Sequence, residues 1–130
     1  MNAIDSVSEI RAQYGPDEHQ AVELYSDVID AFEAAGLPAY VETRGGLAVC
    51  AVAPDGSMFV IASEEALPWR RDALDGWHLS HAPEDEPGVP WRCTVYDTVA
   101  ADLDYGAAID VTHLVSAARA HLAVCPKAAR

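Results

Sequence analysis

At 130 residues the chain has the length of one domain, enough to bury a hydrophobic core. Its 21 acids against 8 bases give a net charge of -13. A surface of that sign repels phosphate backbones and anionic lipid headgroups, so direct nucleic-acid binding and a peripheral membrane role are excluded and a protein partner carrying basic groups is favoured.

The hydrophobic fraction of 51% excludes global disorder, although 24 of those residues are alanine, so the core is to be sought among Val, Leu, Ile and the aromatics. The first six residues hold no basic or apolar leader, and no run approaches the roughly 18 apolar residues that cross a bilayer, so a cytoplasmic protein is expected. Cys50, Cys93 and Cys125 are odd in number and widely spaced, which suits reduced, buried thiols rather than a disulfide framework.

In chain order, Ile4, Val7, Ile10 and Tyr14 recur at helical spacing and predict a short helix over residues 5–13, closed by Gly15-Pro16. Pro16 suits a first helical position, and Asp17 and Glu18 complement the dipole of the first turn. Ala21, Val22, Tyr25, Val28, Ile29, Phe32 and Ala35 then form one apolar stripe, so a single helix is expected to run to Ala35, where Gly36 and Pro38 end it.

From Ala39 the pattern changes to short Val-rich runs at 39–44, 47–53 and 58–63, punctuated by Gly45-Gly46 and by Pro54-Asp55-Gly56-Ser57; these read as a three-stranded meander. The middle run has no polar side chain on either face and should be a central strand covered on both. Residues 64–76 read as a loop with at most one helical turn. Residues 77–82 and 91–96 read as two more strands, joined by a segment over 83–90 whose three prolines forbid a central strand. The stretch 97–108 is open. Asp110 looks like a helix N-cap with Ile109 and Leu114 as a hydrophobic staple, Val111, Leu114, Val115, Ala118 and Leu122 continue at helical spacing, and Pro126 stops the helix before a frayed tail.

The expected fold is therefore α+β: an antiparallel sheet of about five strands with helices packed on one face. Three such helices cover one face and hardly two, so the other face is expected to bury itself against a second copy, as a homodimer, or against a partner.

Three groups of residues invite a functional reading. His78 and His81, with Cys93 on the next strand, are metal-ligand types, but residues three apart on a strand point to opposite faces unless a bulge intervenes. Cys50 or Cys93 could pair with His78 or His113 as nucleophile and base, yet no nucleophile elbow, phosphate loop, H-E-x-x-H or C-x-x-C accompanies them, so neither enzyme activity nor a cofactor is expected. Besides the apolar sheet face, partner binding has two candidate surfaces. Glu23, Asp27 and Asp30 share an outward helix face at spacings of four and three, either as a solvating face or as a docking surface for a basic partner. Trp69, Arg70 and Arg71 put an aromatic and two guanidiniums, the types that anchor interfaces, into a loop of an acidic chain; the plainer alternative is a core-edge indole beside two arginines that neutralise nearby acids.

The runs Pro54-Asp55-Gly56-Ser57 to Trp69, Leu74 to His81 and Val95-Tyr96-Asp97, with the high alanine content and the preference for Arg over Lys, resemble small proteins of actinobacterial genomes and of their phages or mobile elements. The resemblance covers the middle half of the chain, implies the same element order and brings no activity. The element order and the acidity are also similar to secretion-chaperone-like domains, dimers that hold partner segments, which implies a binding role.

The chain is thus expected to be an acidic protein-binding module of the chaperone or adaptor kind. The alternatives are an inhibitor of a nucleic-acid enzyme, in the manner of an immunity protein, antitoxin or DNA-mimicking phage protein, and a small hydrolase or metal protein built on His78, His81 and Cys93.

Overall fold

The computed structural model describes residues 3–43, 46–54, 56–63, 66–82, 93–99 and 110–124. Its elements are α1 (Ala3–Ala12), α2 (Pro16–Leu24), α3 (Ser26–Ala34), β1 (Ala39–Glu42), β2 (Ala48–Val52), β3 (Met58–Ala62), a 3-10 turn (Arg71–Ala73), β4 (His78–Ala82), β5 (Cys93–Asp97) and α4 (Val111–Val124). The strands join in the order β1-β2-β3-β4-β5, each antiparallel to its sequence neighbour. The α+β class, the five antiparallel strands and the element order agree with the reading of the sequence. The linker over 83–90, the stretch over 100–108, Ile109, Cys125, Pro126 and the tail lie outside the described residues.

The apolar central run behaves as its composition demands. Val49 and Ala51 of β2 share one face with Phe59, Ile61 and Leu79, in a core closed by Ala21 of α2, Val28 and Phe32 of α3, and Leu114 and Ala118 of α4. Cys50 and Val52 point the other way, where Tyr40 and Val7 of α1 meet them in a second cluster. The three later helices therefore group on one face, and α1 reaches the opposite one.

That placement gives the face opposite the three later helices a partial cover of its own. On the α1 side Tyr40, Cys50, Val52, Ser80 and Ala82 are each at most 8% exposed within the single chain. Met58 and Val60 of β3, on the same face, are half-buried.

The expected single helix over 16–35 is two. Tyr25 leaves helical geometry at φ -123 and ψ 27, ending α2 and preceding α3. Its side chain is wholly buried and its hydroxyl donates to the Pro68 carbonyl at 2.7 Å. A tertiary bond thus accompanies a break that neither glycine nor proline announces. The end of α3 is as read: Gly36 has φ 83, its N–H bonds the Glu33 carbonyl at 3.0 Å, and the Leu37 N–H bonds that of Phe32 at 2.9 Å, the two bonds of a Schellman motif. At α4, Asp110 Oδ1 accepts from the N–H groups of Thr112 (2.8 Å) and His113 (3.3 Å), which bears out its capping role.

The junction of α1 with the sheet is polar. Arg11 Nε donates to the Ala39 carbonyl at 3.1 Å and its guanidinium pairs with Glu33 of α3. The Val41 N–H donates to the Tyr14 hydroxyl at 2.9 Å. Burial pushes the Tyr14 phenol above its ordinary value, against the opposing pull of that N–H and of Arg11. Glu18, in the first turn of α2, accepts from the Thr43 hydroxyl and from the Gly15 N–H, bonds that hold its carboxyl below the ordinary value of 4.5.

Candidate functional site

β4 and β5 pair in two registers. His78 lies opposite Asp97 and Leu79 opposite Tyr96, but Ser80 lies opposite Thr94 and His81 opposite Cys93, so Val95 is passed over. This irregularity sets Cys93 directly across from His81; the unshifted register would have set Thr94 there. Alternation along β4 sends His81 to the same face as Leu79, toward the helices, and His78 to the other. His78 instead faces Asp97, Nδ1 to Oδ2 3.4 Å, with both side chains 36% exposed. The grouping of His78 with His81 and Cys93 is thereby corrected.

The place that His78 does not fill is taken by His121 of α4. His121 follows Leu114 by seven residues and Ala118 by three, so helical spacing turns it to the sheet with them. Its Nε2 lies 3.1 Å from His81 Nδ1. One nitrogen of each ring and the Cys93 sulfur all fall within 4.8 Å of one another, an N2S donor set of the kind that can hold a transition metal.

The surroundings constrain both rings. His81 is 0% exposed and its Nε2 lies 2.7 Å from Oγ of Ser57, the residue before β3. Phe59 stacks on the His81 ring with centroids 4.9 Å apart and meets His121 edge-on at 6.4 Å. Desolvation pulls the His121 pKa below its ordinary value, favouring the neutral ring. The order Ser57, His81, His121 has the outline of nucleophile, base and orienting group, but Ser57 is only 6% exposed, which shields its hydroxyl from a substrate. The other nucleophile pairings considered are not assembled: Cys50 lies on the α1 side of β2, two strands from His78, and His113 is exposed on α4.

The partner-binding candidates lie elsewhere. Trp69 is 41% exposed, against 0% for Trp77. Arg70 pairs with Asp72 at 2.9 Å, both side chains largely in solvent. Arg71 opens the 3-10 turn, and its side chain lies outside the described residues. Glu23, Asp27 and Asp30 are all exposed, but the break at Tyr25 puts Glu23 on α2 and the two aspartates on α3, so they do not share one uninterrupted helix face. Their relation to Trp69 is what the sequence does not show. Tyr25 stands between Glu23 and Asp27 in the chain, and its bond to Pro68 holds the Trp69 loop against the junction of α2 and α3. Among the described residues no helix is long and apolar enough to cross a membrane.

Comparison with protein-family models, with curated proteins and with solved structures returns no match to this chain.

Proposed function

We propose that the chain is an acidic protein-binding module of the chaperone or adaptor kind, engaging a partner with basic and apolar groups through Trp69, Arg70 and Arg71 beside Glu23, Asp27 and Asp30. The observation that carries the reading is the exposure of Trp69, 41% against 0% for Trp77, on a loop that Tyr25 ties at Pro68 to the junction of α2 and α3. Trp and Arg are the residue types most enriched among interface anchors, and flanking carboxylates speed the approach of a basic partner. This surface needs no cofactor, no catalytic residue and no second copy of the chain, and the reading is of a cytoplasmic protein with reduced cysteines.

The test is capture from the native host with tagged protein, eluted in steps of rising salt. The folded Trp69→Ala variant should hold the partner about 30-fold more weakly, as expected for an anchor worth ~2 kcal/mol. The folded triple variant Glu23→Lys, Asp27→Lys, Asp30→Lys should lower the on-rate and flatten the salt dependence. Undiminished capture by both variants would refute the reading. The net charge of -13 favours a second form, an inhibitor that occupies the basic cleft of a nucleic-acid enzyme. Its signature would be a nucleic-acid enzyme released steeply by salt; a chaperone client held by apolar contact would stay bound.

A further inference from the structure

We propose that His81, Cys93 and His121 form a binding site for a divalent transition metal ion of the zinc class. The site is independent of the Trp69 surface.

Three separate elements deliver one donor each: β4, the shifted register of β5, and the last turns of α4. Tetrahedral zinc with imidazole nitrogens at about 2.0 Å and thiolate sulfur at about 2.3 Å sets neighbouring donors about 3.3 to 3.6 Å apart. The two histidine nitrogens already stand 3.1 Å apart, and the sulfur needs to close from no more than 4.8 Å. Cys93 and His121 are only partly buried, so the adjustment falls to them. His81 need not move.

The shell behind the donors fits the same reading. A metal-ligating histidine usually donates its second N–H to an oxygen acceptor, which fixes the tautomer and the ring plane. Ser57 Oγ stands 2.7 Å from His81 Nε2, so donation there leaves the Nδ1 lone pair directed at the ion. Phe59 packs flat on the same ring and supplies an apolar wall. Imidazole and thiolate donors select zinc and its soft or borderline neighbours over magnesium and calcium, which demand oxygen ligands. Three protein ligands also leave one tetrahedral position for water or another group.

Zinc alone and cobalt(II) alone are the probes, titrated into the full chain under reducing conditions. The native protein should bind one equivalent, with cobalt giving tetrahedral d–d bands and a thiolate-to-metal charge-transfer band. Cys93→Ser should abolish the charge-transfer band, and His121→Ala, at a half-exposed helix position, should weaken zinc binding by at least about tenfold while the circular dichroism stays native. Ser57→Ala should weaken it by about 10-fold to 100-fold through the orienting bond. His78→Ala, on the opposite face, should bind as the native chain does. Absence of stoichiometric binding, octahedral cobalt bands, or binding unchanged in folded His121→Ala and lost in His78→Ala would each overturn the site.

Discussion

Replacing Tyr25 by Phe removes one oxygen from a fully buried ring and keeps the volume that packs edge-on to Trp77 at a centroid distance of 6.4 Å. The deleted group donates to the Pro68 carbonyl at 2.7 Å across 43 residues of chain. A neutral hydrogen bond is worth about 1 kcal/mol net, and a carbonyl left partly dry raises the loss to about 2 kcal/mol. With an unfolding entropy of roughly 2 cal/mol/K per residue, a chain of 130 residues converts that loss into a Tm lower by about 4 to 7 °C. The bond also anchors the Trp69 loop, so the variant must order that loop on binding, and captured partner should be held about fivefold more weakly. In a Trp69→Ala background the same change should cost no further affinity, while the Tm effect persists. Thermal denaturation and equilibrium binding on the four proteins of that cycle measure both effects. A Tm fall below about 2 °C would refute the stability reasoning. An affinity loss undiminished in the Trp69→Ala background would refute the link between Tyr25 and the indole.

Gly76→Ala would drive a methyl to 2.9 Å from the Val99 Cα and N and 3.0 Å from the Thr98 carbonyl carbon, all backbone atoms, so a destabilisation of about 1–3 kcal/mol is expected in denaturant melts. Asp110→Ala removes the acceptor for two N–H groups of α4 and should cost about 1 kcal/mol, read as faster amide exchange in the first turn of that helix. Because the bonds to Thr43 and Gly15 lower the folded pKa of Glu18 from its ordinary 4.5, its contribution is complete above that value and is lost as pH falls through the folded pKa. Glu18→Gln should therefore flatten part of the acid limb of a stability–pH curve, and an unchanged limb would contradict the assignment.

What could be read from the sequence was carried by local chemistry. The stripe from Ala21 to Phe32, the stop at Gly36 and the cap at Asp110 each express themselves within one or two turns of chain, and each stands in the structure. The apolar run of β2 likewise announced a strand covered on both sides. The misses are long-range. The stripe keeps its spacing through Tyr25, so only the contact with Pro68, far along the chain, distinguishes two helices from one. The skipped residue Val95 exists only relative to a partner strand, and without it Cys93 would not face His81. His121 carried a weak signal, since it extends the spacing of Leu114 and Ala118, but a polar residue there passes for the edge of an amphipathic face until the sheet is docked beneath it. A short amphipathic helix such as α1 also does not declare which side of a sheet it will take.

The two bonds from the end of α1 and its following turn have a meaning beyond docking. β1 ends the sheet, and its residues Ala39 and Val41 alternate with Tyr40 along that border. A border strand offers unpaired backbone groups on which a foreign strand can assemble, the first step in runaway association of sheet proteins. Here the Ala39 carbonyl is taken by Arg11 and the Val41 N–H by Tyr14. An incoming strand would have to displace a guanidinium and a phenol before making its own ladder, so the N-terminal helix serves this acidic chain as a guard against self-templated aggregation.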